Sequence, residues 1–172
     1  MGLNAKKGRC AVGKKSFGAA SVVVLALSAL ITPVAQAEVT RESYKEAVEP
    51  ICKSNTEANE RILKGVRGEV KSGKLKAAGT QFSRASAALS KTHGELKAVP
   101  QPPADQARLG KWLGYVKTEA TLFQKTATKL KAGDKNGAQA MVILLNQNAN
   151  KANNQVLGFE FRYCRFEPSK FT

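Results

Sequence analysis

The residues able to do chemistry in this sequence are few, and their spacing excludes more than it offers. His93 is the only histidine. A catalytic triad needs a nucleophile and an orienting acid around such a base, and no pattern here proposes them. Covalent haem attachment lacks its Cys-x-x-Cys-His motif. Glu49, Glu57 and Glu60 lack the Glu-x-x-His pairs of a di-iron bundle. Zinc is disfavoured, because one histidine and a bonded cysteine pair leave too few soft ligands. The expectation is therefore no cofactor, no metal, no catalytic residue and no enzymatic activity. What remains is a structural cross-link between Cys52 and Cys164 and a set of asparagines, Asn55, Asn59, Asn146, Asn148, Asn150, Asn153 and Asn154.

Whether the cysteines pair depends on compartment. Lys6, Lys7, Arg9, Lys14 and Lys15 precede an uncharged apolar run from Phe17 to Ile31, and Ala35-Gln36-Ala37 closes it with small residues. This is the pattern of a secretory signal peptide over residues 1–37. The run is short for a membrane span of about 20 residues, so an uncleaved anchor is the lesser alternative. Cys10 lies ahead of the apolar run, not at its end, which does not indicate a lipid anchor. Cleavage near Ala37 would send residues 38–172 to the cell envelope or medium as one domain of 135 residues. In an oxidising compartment Cys52 and Cys164 are expected to bond within the chain; free thiols or an intermolecular bridge are the alternatives. The exported part keeps 23 of the 28 basic residues and all 13 acids, a formal charge of +10. That favours an anionic partner, such as a wall polymer or a membrane surface. Nucleic acid is disfavoured by export and by the lack of a recognisable module.

The elements that must position these residues read as helices throughout. Thr40 is a plausible N-cap. Tyr44, Val48, Ile51, Ala58, Ile62 and Val66 share one face of a first helix. Pro50 predicts a kink or a restart within it, and Ser72-Gly73 predicts the turn that ends it. Leu75, Ala78, Phe82, Ala85, Leu89, Thr92, Leu96 and Val99 alternate steps of three and four in the second helix. Pro100-Gln101-Pro102-Pro103 stops it. A third helix is predicted from about Ala104 to Lys131, with Leu109, Trp112, Leu113, Val116, Ala120, Phe123, Ala127 and Leu130 on its apolar face. Asp134 can cap a fourth, which carries Ala138, Met141, Val142, Leu145, Ala149, Ala152 and Val156 and is expected to stop at Gly158. The fold class expected is all-α, an up-down-up-down four-helix bundle with one disulfide. The aromatic tail of Phe159, Phe161, Tyr163, Phe166 and Phe171 is expected to pack over its open end; an exposed patch for a partner is the alternative.

Such a bundle, stapled at Cys52 and Cys164, sets Asn55 level with Asn153 and Asn59 with Asn150. This predicts a polar seam of Asn55, Asn59, Asn146, Asn150 and Asn153 between the first and last helices. The seam is either a buried amide network or a groove for a small ligand. The same topology puts the first and third connectors at one end. Lys64, Arg67, Lys71, Lys74 and Lys76 lie at one connector, and Lys125, Lys129, Lys131 and Lys135 at the other. This predicts a basic pole that docks on an anionic surface. Cations at helix C-termini, favoured by the macrodipole, are the plainer explanation.

The stretches Val48-Glu49-Pro50-Ile51-Cys52-Lys53, Asn55-Thr56-Glu57-Ala58-Asn59, Ile62-Leu63-Lys64-Gly65-Val66-Arg67, Trp112-Leu113-Gly114-Tyr115-Val116-Lys117, Asn148-Ala149-Asn150-Lys151-Ala152-Asn153-Asn154 and Phe161-Arg162-Tyr163-Cys164-Arg165-Phe166-Glu167-Pro168 stand out as wording. Together they resemble a group of uncharacterised exported helical proteins from actinobacteria. The resemblance implies export and a helical fold with one cysteine in the first helix and another near the end. It implies no activity or substrate. The function expected is thus a non-enzymatic exported module that binds an anionic surface, polymer or partner; the alternative is a small-molecule binder using the Asn seam.

Overall fold

The computed structural model describes residues 38–167. The signal segment read over residues 1–37 lies outside them, as does Phe171. The described residues are all-helical and contain no strand. The long helices are α1 (Arg41–Ile62), α3 (Leu75–Ala98), α4 (Gln106–Lys131) and α5 (Lys135–Gln155); α2 (Val66–Lys71) is a short helix between the first two. Among the described residues no helix is long and apolar enough to cross a membrane.

Local chemistry accounts for most of the boundaries. Thr40 and Ser43 form a reciprocal cap at the start of α1: Thr40 Oγ1 accepts from the Ser43 N–H at 3.1 Å, and Ser43 Oγ accepts from the Thr40 N–H at 3.0 Å. The helix then runs through Pro50. The ring removes one backbone donor and crowds the Glu46 carbonyl. Tyr44, Val48 and Cys52, all buried, hold the turns on either side. Gly65 breaks the helix at φ 82, and Gly73, at φ 77, makes the expected turn into α3. At the start of α5 the Asp134 carboxylate accepts from the Gly137 N–H at 2.7 Å, as its N-cap position requires.

Packing decides the rest. α4 lies between α3 and α5, α1 packs on α3, and α2 also packs on α3. The α3–α4 contact is close because small residues line it. Gly79 sits so near α4 that a Cβ would meet the Ala127 carbonyl at 2.9 Å. Ser86 Oγ donates to the Ala120 carbonyl at 2.7 Å. Phe82 and Phe123 then meet edge to face at 5.8 Å. Because α4 has a neighbour on each side, it buries more than one stripe: Glu119, Leu122 and Thr126 join the expected apolar residues.

Two boundaries differ from the sequence expectation. The third long helix opens with a 3-10 turn, Pro103–Asp105, before α4 begins at Gln106. The last helix ends at Gln155, not at Gly158, which falls inside a second 3-10 turn, Leu157–Phe159. Tertiary packing sets that end. Phe159 is drawn into the core, where it stacks on Phe161 at 5.2 Å and meets Tyr44 at 6.1 Å. The chain reverses at Glu160, whose φ is 51. The first aromatics of the tail are buried, though against the helices and not over an open end of the bundle: Phe161 reaches Trp112 at 5.7 Å, and Phe159 and Phe161 are both buried.

The expected disulfide is present. Cys52 and Cys164 are joined with their Cα atoms 5.0 Å apart, across a separation of 112 residues. Closing so long a loop stabilises the fold by about 4–5 kcal/mol in the chain-entropy description. Reduction, or Cys52→Ala with Cys164→Ala, is expected to lower the free energy of unfolding by roughly that amount in a denaturant titration. Two glycines of α3 give a second test. Gly94→Ala, in open space, should stabilise by about 0.5–1 kcal/mol. Gly79→Ala should instead destabilise by about 1 kcal/mol, because the clash with α4 exceeds the gain in helix propensity.

Candidate functional site

α1 and α5 are not packed neighbours, so the two helices expected to form the Asn seam are separated. The tail fills the gap and ties one to the other. On the α1 side Cys52 bonds Cys164. The Glu49 carboxylate there accepts from the backbone N–H of Arg162 at 2.7 Å and of Tyr163 at 3.1 Å. On the α5 side Asn153 holds both backbone groups of Phe166: its Oδ1 accepts from the N–H at 2.9 Å and its Nδ2 donates to the carbonyl at 3.0 Å. A primary amide suits this because it carries a donor and an acceptor together.

The expected inter-helix amide network is accordingly replaced by local and tail contacts. Asn59 Nδ2 donates to Asn55 Oδ1 within α1, at a long 3.4 Å. Asn146 Nδ2 donates to the Val142 carbonyl of its own helix at 3.2 Å. Asn150 is exposed. Asn148, outside the predicted seam, is buried against α4 and donates to the Tyr115 carbonyl at 3.0 Å and to Glu119 Oε2 at 2.6 Å. The physical reason is distance: with the tail inserted, α1 and α5 stand too far apart for amide-to-amide bonds.

Beneath the tail lies a cavity of about 420 Å³. Asn55 and Asn59 of α1 line one side, Leu89 and Thr92 of α3 and Trp112 and Glu119 of α4 line the floor, and tail residues 162–167 form the roof. Two atoms of its lining residues are buried without a hydrogen-bond partner among the described residues, Asn59 Oδ1 and Trp112 Nε1. Leaving such a group unmet costs about 1–3 kcal/mol. The volume falls in the range of small-ligand sites.

Glu119 is the most perturbed acid here. It is 2 % exposed. Burial pushes its carboxyl up from 4.5 to about 7, and the Asn148 bond draws it partway back. Sequence reasoning passed over it, although the signal was present. Trp112, Val116, Glu119 and Phe123 follow steps of four, three and four, which puts a carboxylate in register with the apolar face. Asp105 was missed too. Arg41 binds it bidentately, at 2.6 and 2.7 Å, and so holds its carboxyl below the usual range. Arg41 also lies over the Phe159 ring at 5.4 Å, linking the start of α1 to the α3–α4 connector and the tail. His93 is half-buried on α3; burial and the nearby Lys117 and Lys97 lower its pKa.

The predicted basic residues are exposed at their two connectors. Arg67, Lys71 and Lys135 line a second cavity of about 390 Å³ with the apolar Val66, Phe82 and Leu130. Lys74, Lys76 and Lys131 line a shallower one nearby in sequence, between the α2–α3 and α4–α5 turns. Lys129 is paired with Asp134 at 2.9 Å, and Lys131 donates to Ser83 Oγ at 2.8 Å. Lys64 lines neither cavity.

The Glu119 shift has a consequence for stability. The folded-state value lies above the unfolded one, so the native protein binds the proton more tightly. Stability should fall as pH rises from about 4.5 to about 7, by on the order of 3 kcal/mol in all. Glu119→Gln keeps an acceptor for Asn148 and removes the charge. It is expected to be more stable than the parent at pH 8 and to show a flatter profile in denaturant titrations across that window; an unchanged slope would contradict the assignment. Comparison with protein-family models, curated proteins and solved structures finds no match for this chain.

Proposed function

We propose that this protein is an exported, non-enzymatic small-molecule binder whose ligand enters the cavity between α1, the α3–α4 floor and the tail. The observation that carries this reading is the pair of unmet buried atoms, Asn59 Oδ1 and Trp112 Nε1, on residues lining one concave space. An amide network that satisfied itself would have argued for a purely structural seam. The reading includes removal of residues 1–37 as a signal peptide, release to the envelope or medium, and kinship with the exported actinobacterial helical group. It also takes α1, α3, α4 and α5 as an up-down-up-down bundle. The short connectors between consecutive helices support that topology, as do the lining of one shallow cavity by both the α2–α3 and α4–α5 turns and the bond from Cys52 to Cys164.

A second reading concerns the basic pole. Arg67, Lys71 and Lys135 surround an apolar recess, which suits an anionic wall polymer or membrane surface with some apolar character. Such docking weakens with salt. Charge reversal at Lys71 and Lys135 is expected to abolish sedimentation with anionic vesicles; binding that ignores both salt and the reversal would remove this reading.

Native mass spectrometry of the protein recovered from its own host tests the leading reading. It should report the mass of residues 38–172 less the two hydrogens of the disulfide, plus a retained small molecule. Asn55→Phe, which fills the cavity mouth from a half-buried position, should lose that added mass while keeping its thermal unfolding temperature. A protein that is always empty, or an Asn55→Phe variant that retains the added mass, would refute it.

A further inference from the structure

We propose that the cavity takes a primary ammonium compound, with Glu119 as its counter-charge and Asn59 as a second acceptor. The proposal rests on the reading of that cavity as a ligand site.

Two buried carboxylates in this protein make the argument by contrast. Asp105 is 4 % exposed and has a guanidinium bonded to both oxygens. Glu119 is equally buried, yet its partner is the neutral amide of Asn148. Among the described residues no lysine or arginine lies within ion-pair distance of it. Buried charges are ordinarily paired, so a carboxylate on a cavity floor without a cation is the group a cationic guest would complete.

The surroundings do not oppose a cation. Residues 38–172 carry a formal +10, but Glu57, Glu60, Glu119 and Glu167 line the space with Arg162 and Arg165, a formal −2 that Lys53, paired with Glu57 at 4.0 Å, reduces to −1. The strong positive charge of the rest of the protein, which would repel a cation, is thus absent from the lining.

The hydrogen-bond inventory narrows the class. Glu119 and the unpartnered Asn59 Oδ1 are both acceptors, and a primary ammonium brings three N–H donors. A quaternary ammonium would satisfy the charge but leave Asn59 unmet. Trp112 and Phe123, also in the lining, add apolar surface suited to an alkyl body. Tyr163 at the mouth already has cations against its ring, Lys53 and Arg162, at 5.8 and 5.1 Å. Trp112 Nε1 requires an acceptor, which a hydroxyl on the same ligand would provide.

Trp112 is the only tryptophan in the chain, so its fluorescence and its indole N–H resonance report on this cavity alone. The oxidised protein is titrated at pH 8 with n-butylamine, 4-amino-1-butanol, 1-butanol, butyrate and tetramethylammonium, at constant ionic strength. The expected result is saturable perturbation of Trp112 by the two primary amines, at least tenfold tighter than by 1-butanol, with 4-amino-1-butanol the tightest. Butyrate and tetramethylammonium should bind at least tenfold more weakly than n-butylamine. Glu119→Gln, confirmed folded by its thermal transition, should erase the preference for the amine over the alcohol. If the alcohol binds as well as the amine, or if the preference survives in Glu119→Gln, the ammonium assignment is overturned and the cavity reading stands. If none of the five perturbs Trp112, both are overturned.

Discussion

One covalent bond decides how the last helix and the first are related. α1 and α5 do not pack on each other, so their connection runs through the tail. Cys164 is bonded to Cys52, Glu49 caps the tail amides, and Asn153 clasps Phe166 from the other side. The disulfide gives this strap its persistence, because a covalent bond does not open when the hydrogen bonds beside it exchange with water. Phe159 and Phe161 add the apolar part by docking on Tyr44 and Trp112. The strap therefore serves as both a stabilising cross-link and the roof of a cavity, and its two roles cannot be separated by mutation of the cysteines alone.

Inserting a strap between two helices has a structural cost that the rest of the molecule absorbs. A direct α1–α5 contact would have buried both amide sets against each other. Holding the helices apart leaves Asn59 with an unmet oxygen and opens a space over α3 and α4. The firm part of the fold is the α3–α4–α5 packing, where Gly79, Ser86 and Ala120 let backbones approach closely. A rigid floor beneath a tethered roof is a suitable arrangement for a binding site, since positions on packed helices hold their geometry.

The two buried acids show how the same residue chemistry takes different meanings from its neighbours. Asp105 is a structural tie, satisfied by Arg41. Glu119 is held by an amide, and burial leaves it near neutrality in its proton affinity. A paired carboxylate favours folding at ordinary pH, whereas an unpaired one opposes it once ionised.

Helix class, the apolar faces and the caps at Thr40 and Asp134 were legible in the sequence, because they follow from spacing and from local hydrogen bonds that neighbours along the chain can make. The disulfide partners were legible from cysteine count and the signal pattern. The carboxylate in the α4 stripe was visible as well, since its register with Trp112, Val116 and Phe123 needs no structure to see. What only the tertiary structure decided was where that register leads. It placed the tail between α1 and α5, sent Asn148 to Glu119 and Asn153 to Phe166, and ended α5 ahead of Gly158. Each of these depends on contacts between residues distant in the chain, whose energies compete at close range and leave no periodic trace in the order of the amino acids.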